Sequence, residues 1–251
     1  MESVVQNQPE VQLEESKKEI EYLACEKWWV FLTLTWVGGF LGAFTYSIRG
    51  GVFCNAQTAN FVLLSMAVGS GQWGHALYYF VPMIAYFIGI VISETVAKPI
   101  KKLQLIRWDT LLVLIEMMFV LLLGFIPESA PYQISQVMVN FICAMQYNTF
   151  RQAEGMPVAT TFCTNHFRQV GVAFTKAVKH RDPVWAGKMW RHLSLILIFT
   201  FGGVISTMLC HRFLGRAVWG AMFPLVVVFC YLLDADLKRE KGLLSRVPRG
   251  H

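Results

Sequence analysis

The chain has 251 residues, of which 55% are hydrophobic and 15% charged, and its formal net charge is +6. Its apolar runs are too long for a soluble core, and its basic residues lie beside those runs. There they set orientation in a membrane more readily than they bind nucleic acid. The six cysteines form no CxxC pair, so neither a disulfide framework nor a zinc site is predicted.

The first 27 residues are polar and rich in glutamate, without the apolar stretch that a cleavable signal peptide needs. We interpret residues 1–27 as a cytoplasmic N-terminal tail. Six nearly uncharged runs follow, each long enough or almost long enough to cross a hydrocarbon layer of ~30 Å. They predict an integral, all-α membrane protein. The runs are Trp28–Ser47, His75–Ala97, Thr110–Ile126, Ile134–Phe150, Leu193–Cys210 and Ala217–Leu233.

Two shorter, half-polar segments, Asn55–Val68 and Val158–Phe174, leave either six or eight crossings. Cytoplasmic loops accumulate Lys and Arg. Eight crossings would place the basic cluster between Lys98 and Arg107 outside. Six crossings place this cluster, most other basic residues and both termini inside. We therefore predict six transmembrane helices with cytoplasmic termini.

The chain also contains a weak internal repeat. Aligning Thr58 with Thr164 superposes the sequence QTANF on CTNHF, and GIVIS (Gly89–Ser93) matches GGVIS (Gly202–Ser206). Each half reads as span, half-polar segment, span, span, and three crossings leave the second half inverted. We predict an inverted 3+3 repeat with halves at 28–126 and 133–233, followed by a cytoplasmic tail at 234–251. The tail ends in VPRGH, which resembles a protease-site remnant and is left out of the functional interpretation.

The two half-polar segments are predicted to be re-entrant half-helices that enter from opposite sides. Gly50 and Gly51 would allow the turn before the first segment, and Pro157 the turn before the second. Polar side chains would bind a solute near the middle of the membrane, and half-helix N-termini would favour an anionic or strongly polar group. The alternative is that these side chains only join helices by hydrogen bonds. The predicted site residues are Asn55, Gln57, Thr58, Asn60, Thr161, Thr164, Asn165 and His166.

Three titratable residues in apolar surroundings have functional interpretations. Glu116 lies in the middle of a predicted span, where an ionised carboxylate is costly unless it is paired or hydrated. It is the predicted coupling group, and a protonated glutamate bonded to a neighbouring helix is the alternative. Glu94 lies nearer the inner end and is expected to face water or to pair with Lys98. His166 suits a proton switch, with structural packing as the alternative.

The sequences RGGVFCNAQTANFVLLS, VPMIAYFIGIVIS and FICAMQYNTFRQAEGMPVATTFCTNHFR resemble the YoaK-like bacterial membrane protein family, domain of unknown function 1275. The resemblance implies a six-helix protein of the bacterial inner membrane with no assigned activity. Family members typically carry Thr-Gly-Asn in both motifs, whereas this chain has Thr58-Ala59-Asn60 and Thr164-Asn165-His166. Gly42 stands where the family commonly has an acidic residue. If that acid carries a coupling ion, this chain lacks the coupling or uses another group.

We expect a secondary transporter for a polar or anionic small solute. A channel-like pore and a non-transporting membrane scaffold or sensor are the alternatives. The chain shows no hydrolase, metalloprotease or nucleotide-binding motif in context. It is therefore predicted not to be an enzyme and to need no cofactor or metal. The expected partners are the solute and the lipid bilayer, without nucleic acid, and a homodimer is left open.

Overall fold

The computed structural model of the chain describes residues 22–103 and 105–250, with the backbone alone for residues 98–103. Residues 1–21 of the predicted N-terminal tail lie outside the described part. The described residues are mostly helical, which confirms the all-α prediction at that level. Their only paired strands are a short antiparallel hairpin, β1 (Gln152–Ala153) with β2 (Met156–Pro157).

The helices follow the apolar runs, with some shifted ends. Asp182 explains one such shift, because its carboxylate accepts from the Val184 N–H and Pro183 starts the helix ten residues before the predicted run. A 3-10 segment, Leu214–Ala221, replaces the expected start of the last span. The α-helices are α1 (Trp28–Ile48), α2 (Thr58–Gly69), α3 (Trp73–Leu103), α4 (Trp108–Leu123), α5 (Tyr132–Thr149), α6 (Thr164–His180), α7 (Pro183–Phe213) and α8 (Met222–Asp234).

Three helical stretches of the described chain are long and apolar enough to cross a membrane, judged by length and composition. They are Trp28–Ile48, Trp73–Ala97 and Pro183–Arg239. The last is a stretch of 57 residues that contains α7, the 3-10 segment and α8, with a turn at Leu214. Helix α4 is apolar but has only 16 residues, whereas α5 has 18 residues and carries several uncharged polar side chains.

The helices pack in pairs. The most extensive contacts are between α1 and α7 and between α3 and α5, and each half-helix packs on the long helix that follows it, α2 on α3 and α6 on α7. Glycines permit the closest approaches. A side chain at Gly202 of α7 would collide with the Trp36 carbonyl of α1, and one at Gly89 of α3 would collide with the Phe141 carbonyl of α5.

One end of the bundle, which we call the terminal face, holds the two described chain termini. There Glu154 of the hairpin accepts from the first N–H of α1, at Trp28, over 3.2 Å. Asp236, beyond α8, accepts from the Arg107 N–H at the start of α4 over 2.9 Å. The N-termini of α1 and α4 are thus satisfied by carboxylates from later in the chain.

The opposite end, the distal face, is held by a buried arginine. Arg49 follows α1, is 1% exposed, and pairs with Glu128 at 3.0 Å. Glu128 also accepts from the Gly215 N–H. Gly50 and Gly51 come next with φ of 85° and 69°, so the predicted turn after the first span is confirmed.

Candidate functional site

Both half-polar segments reach the middle of α1. In the first, the Asn55 side chain donates to the Gly38 carbonyl at 3.1 Å. In the second, the Thr160 carbonyl lies so close to Gly38 that a side chain there would collide with it. Since Gly38 is midway along α1, the loop before α2 and the loop before α6 converge deep inside the bundle.

A cavity of about 820 Å³ lies where these loops meet. Aromatic and aliphatic side chains form much of its wall, including Phe162 and Phe199, and the polar groups are amide, hydroxyl, thiol and imidazole. Among the described residues that line it, none is Asp, Glu, Lys or Arg. The residues of the two loops and of the start of α6 that line the cavity include Asn55, Ala56, Thr161, Phe162, Cys163 and Thr164.

The first motif contributes mainly internal bonds. Gln57 donates to Asn140 of α5 at 2.8 Å, and Asn60 donates to the Phe53 carbonyl at 2.7 Å and to Gln57 at 3.2 Å. Thr58 is exposed and begins α2, whereas Asn60 is fully buried. Of the four predicted residues in this motif, Asn55 lines the cavity, and Gln57, Thr58 and Asn60 are not among its lining residues.

The second motif places Thr161 and Thr164 on the cavity wall. Thr161 is buried and its hydroxyl makes no well-aligned hydrogen bond within the described part, although the Tyr86 hydroxyl is close by. Thr164 is exposed and begins α6, as Thr58 begins α2. The Asn165 side chain accepts from Arg168 at 3.0 Å, and His166 is fully buried.

A second cavity, of about 520 Å³, lies on the terminal side of the second loop. It is lined by Asn148, Arg151 and Asn165 among others, and Arg151 pairs with Glu94 at 2.8 Å. Phe162 lines both cavities, and its ring packs against Tyr147. The loop that carries Phe162 therefore separates a distal cavity from a terminal one.

The two intramembrane acids have different surroundings. Glu116 is 2% exposed, and neither carboxylate oxygen has a hydrogen-bond partner in the described residues. Glu94 binds Arg151 and also accepts from Asn148 at 3.2 Å. Its expected partner Lys98 has a side chain outside the described part.

Two residues that hold the site were not predicted from the sequence: Asn140, which bonds Gln57, and His192, which bonds His166. The burial of Arg49 at the distal face was not predicted either. Asn140 is one of several uncharged polar residues in α5, and such residues are a detectable signal of hydrogen bonds between helices. Arg49 lies just after the first apolar run, and nothing in the sequence indicates that its side chain is buried. Its burial depends on Glu128, which is distant in sequence.

The structure thus defines a helical protein with membrane-length helices and two inward-reaching loops that share a cavity. The chain belongs to the family described as protein of unknown function (DUF1275), whose model matches residues 30–231. No curated protein matches the chain. No solved structure matches it either.

Proposed function

We propose that this protein is a small secondary transporter whose solute binds in the cavity between the two loops. The observation that carries the proposal is the convergence of both loops on Gly38 beside a cavity of about 820 Å³. Non-helical backbone at membrane depth is tolerated where it lines a cavity or is buried in protein. Transporter sites occur where two such broken segments meet near the bilayer midplane.

Six crossings in an inverted 3+3 arrangement form part of this proposal. The half-helices begin at the aligned threonines, Thr58 and Thr164. The pairing of α1 with α7 corresponds to that of α5 with α3 when the halves exchange places. The aligned glycines, Gly89 and Gly202, each lie against the backbone of the first helix of the opposite half. These correspondences support a duplication.

A bacterial inner-membrane location with cytoplasmic termini also belongs to the proposal. The terminal face carries many cations, including Arg107, Arg151, Arg181, Lys188 and Arg191, as expected of a cytoplasmic side. Large apolar side chains along the long helices are exposed, which suits lipid contact. Examples are Leu77, Phe87, Ile88, Phe201 and Phe223.

The cavity lining suits a polar or amphipathic solute. Its hydroxyl and amide groups offer hydrogen bonds, and its aromatic groups offer apolar contact. Neither half-helix has a side-chain cap at its N-terminus, so backbone N–H groups and a partial positive charge are available to an anionic or polar group. Glu116 remains the proposed coupling carboxylate, and the protein is proposed not to be an enzyme.

A screen of small metabolites by thermal shift on the purified protein tests the site. Thr164→Val should weaken binding of a hit about two- to tenfold, because one hydrogen bond contributes about 0.5–1.5 kcal/mol. Thr175→Val is the matched control, since Thr175 lies on the same helix and bonds only to the Gly171 carbonyl, away from the cavity. A hit that Thr164→Val leaves unchanged would place binding elsewhere.

Uptake into proteoliposomes then distinguishes a secondary transporter from a channel-like pore. Accumulation of the hit against its gradient supports a transporter, and equilibration alone supports a channel-like pore. The scaffold alternative is favoured by the internal bonds of Gln57 and Asn60. It predicts that Thr58→Val and Thr164→Val change no flux.

A further inference from the structure

The two loops are anchored to their half-helices in the same way. In the first, the Asn60 side chain donates to the Phe53 carbonyl at 2.7 Å. In the second, His166 Nε2 lies 2.9 Å from the Ala159 carbonyl. Aligning Thr58 with Thr164 places Asn60 on His166 and Phe53 on Ala159. Each half-helix therefore uses its third residue to hold the loop seven residues earlier.

The second anchor has a titratable extension that the first lacks. His166 Nδ1 lies 3.0 Å from His192 Nδ1 of α7, so a single proton must lie between these two nitrogens. His166 is fully buried and His192 is 7% exposed. A neutral amide occupies this place in one half, and a pair of imidazoles occupies it in the other.

The charge of the pair determines how the loop is held. In the neutral pair two tautomeric arrangements are open, because the Ala159 N–H also lies 3.3 Å from His166 Nε2 and can donate to it. When one more proton binds to the pair, only one arrangement of the protons remains possible. Both Nε2 atoms then carry hydrogen, the third proton stays between the Nδ1 atoms, and His166 must donate to the Ala159 carbonyl. Protonation therefore strengthens the bond to the Ala159 carbonyl.

His192 connects this pair to the terminal face. It lines a cavity of about 420 Å³ together with Glu154, Lys188 and Arg191. Arg191 is paired with Glu154 and lies over the Trp28 ring, and Lys188 lies over Trp185. On the other side, the loop Val158–Cys163 has no charged residue. From α6 the nearby charge is Arg168, which is bonded to Asn165. A proton can thus reach the pair from this cavity of about 420 Å³.

We propose that the His166–His192 pair is a proton-binding site that controls how firmly the second loop is held. Loss of the proton loosens the segment from Ala159 to Cys163, which lines the distal cavity and divides it from the terminal cavity. A link between loop release and solute movement rests on the proposed transport function, whereas proton binding and loop release do not.

Alkylation of Cys163 reports on the loop, because this cysteine lies on the cavity wall and is partly exposed. The full chain carrying Cys230→Ser, which removes the exposed cysteine, is labelled with a small uncharged maleimide between about pH 5 and pH 8. Thiol reactivity itself rises with pH, so chains are compared at the same pH. His166→Asn is the reference, since it recreates the anchor of the first loop without a titratable group.

The labelling rate of the parent chain, divided by that of His166→Asn, should rise about tenfold from low to high pH, equivalent to one pKa unit of linkage. His192→Gln should abolish most of that rise. A ratio that is constant with pH overturns the proposal. If His166→Asn does not give a monodisperse protein, the same ratio is taken against His192→Gln, and constancy again overturns it. If the ratio of labelling rates rises with pH but no solute is taken up, the transport function is rejected and the proton site is retained. If solute is taken up but the ratio is constant, only the proton site is rejected.

Discussion

Arg107 illustrates how single buried charges hold this bundle together. Its guanidinium lies 3.3 Å from Asp236 and 3.2 Å from Glu240, and all three side chains are less than 10% exposed. Arg107→Met would leave two buried carboxylates without their cation. We expect the free energy of unfolding, measured in detergent with increasing denaturant, to fall by about 3–5 kcal/mol.

Arg239→Met is the matched control, because Arg239 and its partner Asp234 are accessible to solvent, with side chains 49% and 42% exposed, and pairs in solvent contribute about 0–1 kcal/mol. Equal losses for the two variants would show that Arg107 is not desolvated as described.

Glu116 is expected to be the neutral acid, because an ionised carboxylate without a partner would be very costly at this depth. Glu116→Gln keeps the shape and should change the free energy of unfolding by less than about 1 kcal/mol. If Glu116 couples transport, the same variant should lose concentrative uptake and keep exchange of solute. Glu94→Gln, at an exposed carboxylate bound to Arg151, should retain concentrative uptake. Full accumulation by Glu116→Gln would exclude the coupling role.

For single residues, the sequence was sufficient to predict the structural features whose physical cause is local. Gly50 and Gly51 adopt positive φ as their type suggests, and the polar motifs do mark the starts of α2 and α6. Partners could not be predicted, because they depend on packing between distant segments. Gln57 bonds Asn140 of α5, so a residue predicted to bind solute has a hydrogen-bond partner inside the protein.

Among the helices, close crossings depend on glycine. A Cβ at Gly202 would collide with the Trp36 carbonyl, whereas one at Gly187 on the same helix would meet open space. Gly202→Ala should therefore lower the free energy of unfolding by about 1–3 kcal/mol. Gly187→Ala should raise it by up to about 1 kcal/mol, because alanine favours the helix. Similar effects of the two variants would show that α1 and α7 do not cross closely at Gly202.

Helix ends were less predictable than helix existence. The second half-polar segment was expected to end at Phe174, but its helix, α6, continues to His180. The exposed residues after Phe174 do not interrupt the helix. Leu214 adopts φ of 50° between α7 and the 3-10 segment. A leucine gives no sequence signal for such a turn, so the start of the last span was placed within the 3-10 segment.

For the molecule as a whole, the sidedness is testable with Ser70→Cys in the turn after α2 and His180→Cys at the end of α6. Both positions are exposed and lie at opposite ends of the bundle. In a background without the exposed Cys230, an impermeant maleimide should label Ser70→Cys in intact cells and His180→Cys only after permeabilisation. Labelling of both from one side would refute the inverted arrangement of the loops.

The capping of α1 and α4 by Glu154 and Asp236 has a consequence for biosynthesis. Residues 28–126 are synthesised before either carboxylate, so two helix starts in the nascent first half lack these acceptors at that stage. Side-chain caps of this kind contribute about 0.5–2 kcal/mol each. Maturation of the first half is thus completed only after Asp236 has been translated, and products truncated before it should be substrates for membrane proteases.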